Sequence, residues 1–260
     1  MAGSFLDMQA YVGITKHIGG LPSTRALLAL SHVEDAGEIL EVGCGIGVGP
    51  AHAARTYDCR VVGVDISERM IEWSRRRARE ERVQDRIEFR VADVLALPFE
   101  AGRFDATLCE SVLAFVADKE QAVRELVRVT KPGGYVGLNE AFLVTESPSP
   151  AVMELARGMG TEIVSLAAWR ALWDASGLGD RLVRAYRIDP AREVRGRMRW
   201  IGLPWLVRAW ARAIRVAVTQ PSLRPALATQ LGAAKDMPAA EPGAPSAWAS
   251  FGYGLFVGRK

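Results

Sequence analysis

Ile39-Leu-Glu-Val-Gly-Cys-Gly-Ile-Gly-Val-Gly49 is the stretch on which the fold turns. Ile39, Leu40 and Val42 around Glu41 read as a strand end, and glycines then fall at 43, 45, 47 and 49. Glycine has no Cβ and tolerates positive φ, so a strand that breaks in such a loop and restarts as a helix lets backbone approach a small-molecule cofactor. The dinucleotide fingerprint G-x-G-x-x-G is not met. Counted from Gly43 its last place is Val48, and from Gly45 it is Pro50. A tight turn with no ligand fits this loop alone equally well, so the segments around it decide.

Outward from that loop, residues 39 to about 140 alternate short apolar strands with amphipathic helices. This is the pattern of a doubly wound parallel sheet with helices on both faces. Strands are expected at 39–42, 60–65, 87–91, 104–109 and 135–139, with helices at 48–56, from Ser67 to Glu81, and after an Asp118 cap. Lys131-Pro-Gly-Gly134 reads as a turn and 146–150 as a loop. A helix over 161–175 ended by Gly177, and strands at 181–188 and 254–258, complete a seven-strand α/β sheet. The stretch 190–245 stands as a helical insertion before the last strand. Residues 1–35 read as a separate N-terminal helical segment.

The 260 residues are 49% apolar and 24% charged, which bounds the chain to one globular domain with an elaboration. A net charge of +3 does not by itself indicate nucleic acid. Cys44, Cys59 and Cys109 are scattered, with no C-x-x-C, so neither a disulfide framework nor a metal site is expected. No basic and apolar leader stands at Met1–Ala10, and a reduced, cytoplasmic setting is expected.

Asp65 ends the second strand, 22 residues after Gly43. In a doubly wound sheet that places a carboxylate at the ligand crevice, where a ribose diol can donate two hydrogen bonds. An acid at a helix start is the plainer alternative. Asp93 ends strand three in Val91-Ala-Asp-Val94, ahead of Leu97-Pro-Phe99, and a turn cap is its plainer alternative.

Taken together, E-x-G-x-G-x-G, Asp65, Asp93 and Lys-Pro-Gly-Gly134 before a strand resemble the class I S-adenosylmethionine (SAM)-dependent methyltransferases. The resemblance is to their small-molecule branch, of ubiquinone/menaquinone and sterol type, and covers about residues 36–142. It implies a Rossmann-like methyltransferase fold and S-adenosyl-L-methionine as cofactor. Glu41, Gly43, Cys44, Gly45 and Gly47 would flank the methionine part, seated by backbone amides of the loop. Asp65 and Ile66 would meet the ribose side, and Asp93 and Val94 the adenine. N-terminal segments in such enzymes fold over the cofactor, which makes Tyr11 and His17 lid residues; a packing role fits His17 as well.

The implied chemistry is in-line displacement at the methyl carbon, to which the protein contributes proximity, alignment and exclusion of water. A general base is needed only where the acceptor must lose a proton. Glu110 and Glu140, after strands four and five, are the candidates, with loop support as the alternative for each. A small apolar or amphiphilic acceptor is expected. A SAM-binding regulator or scaffold without turnover, or a protein or RNA methyltransferase, are the other classes.

Between Arg181 and Arg215 stand ten arginines against Asp189 and Glu193. Leu203–Val218 reads as a helix opened by Pro204, with Leu206, Trp210 and Ile214 in one stripe and Arg208, Arg212 and Arg215 in another. Three arginines in so short an apolar stretch exclude a membrane span. Core packing, a lid over the substrate crevice, a dimer contact and peripheral membrane contact through 200–218 all fit this pattern. No RNA-binding module accompanies it. Residues 219–250, rich in Pro and Ala, read as an irregular return.

Overall fold

The computed structural model describes residues 4–15, 18–145, 147–148, 150–189, 196, 201–235 and 247–260. In chain order the elements are α1 (Phe5–Val12), α2 (Gly20–Leu30), β1 (Glu38–Val42), α3 (Val48–Thr56), β2 (Arg60–Asp65), α4 (Glu68–Glu80), β3 (Ile87–Val91) and β4 (Phe104–Glu110). They continue with α5 (Lys119–Val129), β5 (Thr130–Leu143), α6 (Pro150–Gly158), α7 (Leu166–Asp174), β6 (Gly179–Arg187), α8 (Leu203–Thr219), α9 (Arg224–Lys235) and β7 (Phe251–Arg259).

The seven strands form one sheet in the order β3-β2-β1-β4-β5-β7-β6. β1 through β5 run parallel, and β7 is antiparallel to both β5 and β6. Successive strand residues point to opposite faces. Leu40, Val42, Val62 and Val64 pack with α5 and α7, through Val123, Leu126, Trp169 and Trp173. Ile39, Val61, Ala106 and Leu108 pack on the other face with Leu27, Ala53 and Ile71 of α2, α3 and α4. Ser67 and Asp118 cap α4 and α5 as their sequence positions suggest.

The structure differs from the expected elements in several places. Lys131–Gly134 is a bulge inside a longer β5: Phe104 pairs with Thr130, but Ala106 already pairs with Tyr135. The strand also runs on to Leu143 because Asn139–Leu143 pair with β7. The helix expected from Thr161 starts only at Leu166, where Ser165 caps it. The expected loop at 146–150 is non-helical at Ser147 and Pro148, and α6 begins at Pro150, where no element was expected. α9 occupies part of the stretch read as irregular, because alanines with Leu227 sustain a helix there once Pro225 is confined to its first turn.

The helices outside the two layers form a cap. Phe5, Met8 and Val12 of α1 pack with Ala209 and Val216 of α8, Ala226 and Leu227 of α9, and Met159 after α6. Phe115 and Ile14 border this cluster.

Candidate cofactor and acceptor site

The chain leaves β1 towards β2 and β3, then crosses to β4, so the sheet order reverses at β1. In open α/β sheets that reversal opens a crevice at the strand carboxyl ends. Val42 pairs with Val64 on one side and Cys109 on the other, and Glu110 pairs with Asn139. The next step of this register brings the glycine loop level with Asp65 and Glu110.

Within the loop, Gly43, Gly45 and Gly47 have φ of 72°, 55° and 77°. A Cβ on Gly43 would lie 2.1 Å from a Val112 methyl, and one on Gly47 would lie 2.9 Å from the Ser74 backbone. The amides of Gly43 and Cys44 both donate to the Val64 carbonyl, at 2.7 and 2.9 Å. Gly45 donates to Asp65 Oδ2 at 3.0 Å and Gly47 to the Cys44 carbonyl at 2.9 Å. These four N–H groups are therefore spent inside the loop. The loop's lack of Cβ atoms at these glycines leaves room for a ligand to approach the backbone closely.

Asp65 also accepts from the amide of Ser67 at 2.9 Å, so one carboxylate joins the glycine loop to the start of α4. Burial pushes its pKa up, and the two amide bonds oppose that shift. The carbonyl of Asp65 accepts from Ala92, which draws the end of β3 alongside. Ile66, next to Asp65, is 65% exposed, and Asp93 is exposed with Oδ1 accepting from Leu95 at 2.9 Å. Val94 is buried in the core, leaving only its backbone for the edge.

Glu41 points under the loop, where a Cβ on Gly49 would lie 2.3 Å from its Oε1. Burial, then the nearby charge of Glu110, holds its carboxyl well above the ordinary range. Cys44 is turned inward: its Sγ lies 3.7 Å from Ser74 Oγ, which donates to the Gly45 carbonyl at 2.8 Å. Burial raises this thiol's pKa well above normal. Its side chain supports the loop.

Glu110 lies nearly buried at the end of β4, its Oε2 accepting from Asn139 Nδ2 at 3.1 Å and Thr24 Oγ1 at 3.3 Å. Asn139 Nδ2 also lies 2.9 Å from the Ile18 carbonyl, which ties the N-terminal segment to this edge. Between the two glutamates Ser111 adopts φ 59°, a left-handed conformation uncommon for a side chain of its type. Glu140 is fully buried inside β5, not free at its end. Its Oε1 accepts from Val112 at 2.9 Å and Leu113 at 2.8 Å, its Oε2 has no hydrogen-bond partner, and burial raises its pKa to about 7. It fastens the turn after β4. His17 lies outside the described residues.

The N-terminal segment reaches the loop. A Cβ on Gly45 would lie 2.9 Å from Thr15 Oγ1, and the Arg69 guanidinium stacks 4.2 Å from the ring centre of Tyr11. α8 holds this segment in place: Trp205 Nε1 donates to the Gly13 carbonyl and Arg212 Nε to that of Val12, at 2.6 and 2.5 Å. Arg77 of α4 stacks 4.3 Å from the Trp205 ring centre and donates to the Ile46 carbonyl of the loop at 3.0 Å. The stripe of Leu206, Trp210 and Ile214 lies away from the buried side of α8, with Leu206 only partly buried. Trp205, Ala209 and Val216 face inward, while Trp210 and Ile214 face out.

Sequence reading missed Thr15, Arg77, Ser111 and Asn139. Arg77 carried a signal, since it stands seven residues after Met70 on the apolar side of α4, where a charge needs a partner. Asn139 carried a weaker one, as an amide in an otherwise apolar strand.

An apolar Ile66 beside the Asp65 carboxylate, an exposed Asp93 just after β3 and a loop with glycine at 43, 45 and 47 fit an adenosine-bearing cofactor. Residues 40–138 match the family described as Methyltransferase domain. The chain is 33% identical over 148 residues to the 27-O-demethylrifamycin SV methyltransferase of Amycolatopsis mediterranei, covering 54% of this chain and 53% of that protein. Its fold is similar to that of the [4+2]-cyclase SpnF, with TM-score 0.72 and 20% identity over 100% of this chain and 97% of the other. It is also similar to Haemonchus contortus phosphoethanolamine N-methyltransferase 2 in complex with S-adenosylhomocysteine, with TM-score 0.71 and 18% identity, over 98% and 57% of the two chains. This chain spans about half the length of the Amycolatopsis relative. It spans 33% of phosphoethanolamine N-methyltransferase 1 of Arabidopsis thaliana, to which it is 28% identical.

Proposed function

We propose that residues 40–138, which match the family described as Methyltransferase domain, act as a class I SAM-dependent methyltransferase domain, and that the chain transfers the methyl of S-adenosyl-L-methionine to a small, apolar or amphiphilic organic acceptor. The observation that carries this reading is a coincidence of two boundaries. The family match runs from β1 to β5, the same segment that builds the Gly43–Asp65–Asp93–Glu110 edge. The acceptors named for the Amycolatopsis and Haemonchus proteins, a rifamycin and a phosphoethanolamine, support a small molecule. The partly buried Ile14 and Phe115 beneath the cap support an apolar one.

In this reading residues 1–35, through α1 and α2, form a lid on a domain running from 36 to 260; of the insertion 190–245, α8 and α9 belong to the cap, and residues 190–195, 197–200 and 236–245 lie outside the described residues. The setting is the cytoplasm, in part at the periphery of a membrane. Among the described residues no helix is long and apolar enough to cross one.

When bound, the cofactor supplies a methyl carbon made electrophilic by its sulfonium. Asp65, already fixed by two amides, is the acceptor for a ribose diol, and its rigidity means little order is lost on binding. Ile66 flanks the ribose, and Asp93 takes the adenine side. Glu41 stiffens the loop from below, and Tyr11 and Thr15 close over it. The cap excludes water, which strengthens every polar interaction inside it. Where the acceptor carries a removable proton, Glu110 receives it at Oε1 or Oε2, with Asn139 and Thr24 orienting the carboxylate. Glu140 acts through the 112–113 amides and positions the turn.

Labelled methyl transfer into a fractionated cell extract, with Asp65→Ala as control, tests the reading. Label in small molecules supports it, and the organic phase supports the apolar acceptor. Label in protein or RNA overturns the acceptor class, and measurable SAM binding with no transfer overturns turnover.

A further inference from the structure

Helix α8 has a second face that the cap does not use. Leu203, Val207, Trp210, Ile214 and Val218 are each 61–70% exposed. At 100° per residue these five fall within a sector about 80° wide. The ridge they form is about 25 Å long, from 17 residues at 1.5 Å each. The opposite side, through Trp205, Ala209 and Val216, is the one buried against α1 and α9. Contiguous exposed apolar side chains on this scale mark an interaction surface.

Charge selects the occupant. No carboxylate lies between Leu203 and Thr219. Of the three arginines, Arg212 turns inward to the Val12 carbonyl and the Trp73 ring. Arg208 and Arg215 are exposed along one margin of the ridge. Arg208 has only a loose contact, 3.8 Å, with Glu80 of α4. A second copy docked antiparallel on the same face about a two-fold axis would bring the two arginine margins together along an apolar seam. An anionic bilayer satisfies both features: acyl chains take the ridge, headgroup phosphates and carboxylates meet the guanidinium margin, and Trp210 sits at the interface.

We infer that the outer face of α8 docks the protein in the plane of an anionic lipid surface. The inference rests on the membrane-peripheral part of the reading above and not on methyl transfer. Trp205 and Arg212 of the same helix hold the N-terminal segment over the glycine loop, so docking places the cofactor edge's cap at the bilayer.

Co-sedimentation of the full chain tests this, using vesicles of phosphatidylcholine with about one third phosphatidylserine and vesicles of phosphatidylcholine alone. Binding to the anionic vesicles should be about tenfold tighter, and it should weaken with salt. Trp210→Ser with Ile214→Ser should reduce it about tenfold or more with an unchanged melting temperature. Arg208→Gln with Arg215→Gln should abolish the lipid preference. Three results overturn the proposal: no binding by the parent chain, equal binding by the Trp210/Ile214 variant, or a dimer in light scattering that this variant converts to monomer. SAM affinity measured on the same samples separates the two readings, since vesicle binding without SAM binding removes the methyltransferase reading alone.

Discussion

The amide of Gly45 donates to Asp65 Oδ2 at 3.0 Å, so the end of β2 clamps the middle of the glycine loop. The same carboxylate takes the Ser67 amide at 2.9 Å. Asp65 is thus a structural tie as well as the group best placed for a ribose.

Asp65→Ala should therefore fail in two ways. Loss of a charge-assisted acceptor should weaken SAM binding by more than about tenfold, about 1.4 kcal/mol. Two amides left without their acceptor should cost a further ~1–3 kcal/mol of stability. Calorimetric titration and urea unfolding measure the two separately. Unchanged SAM affinity in a folded variant would sink the ribose assignment.

The thiols give a second check on the loop. Cys44, Cys59 and Cys109 are all buried, and burial raises the pKa of each. A thiol probe at pH 8 should leave the folded protein unlabelled and modify all three after denaturation. Rapid labelling of Cys44 that SAM blocks would place its side chain in the cofactor site instead of beneath it.

Glu140 carries a pH signature. Its pKa is about 7 in the folded chain against 4.5 as a free side chain. The folded state therefore binds more protons between those values, and the group's contribution to stability falls as pH rises through that window. The shift corresponds to about 3 kcal/mol at most. Glu140→Gln keeps an oxygen for the Val112 and Leu113 amides and removes the charge. It should be more stable than the parent at pH 8, with the gap closing towards pH 5. Parallel stability curves would show that the carboxyl is not titrating in this range. Because Glu140 positions a turn, its replacement should also leave the pH–rate profile of methyl transfer in place, whereas Glu110→Gln should remove its acidic limb for a protic acceptor.

The sheet was legible in the sequence because its signals are local. Strands β1 to β4 alternate or run apolar between turn residues, Ser67 and Asp118 announce their helices, and the glycine loop gains its meaning from Asp65 and Asp93 following it in order. What was not legible depends on distant partners. Glu140 reads as a strand-end acid until β7 pairs with Asn139–Leu143 and draws it into the sheet. The amides of Gly43 and Cys44 look available until the Val64 carbonyl of β2 takes both. On α8 the apolar residues surround most of the helix, so periodicity alone did not tell the buried side from the exposed one. Trp205, bonded to a carbonyl 192 residues away, decides that.

That same contact changes what is expected of the insertion. A detached lid or membrane contact could be removed without effect on SAM. Here, however, Trp205 holds the Gly13 carbonyl and stacks on Arg77, and Arg77 holds the Ile46 carbonyl of the glycine loop. Both sides of the cofactor edge, the Thr15 segment above and the loop below, therefore depend on one indole. Trp205→Ala should weaken SAM binding by about three- to tenfold, in line with a lost buried hydrogen bond and a lost cation–π contact. Trp205→Phe retains the ring and should recover part of that loss. Equilibrium binding with the folded variants decides it, and an alanine variant that binds SAM as tightly as the parent would detach α8 from the cofactor edge.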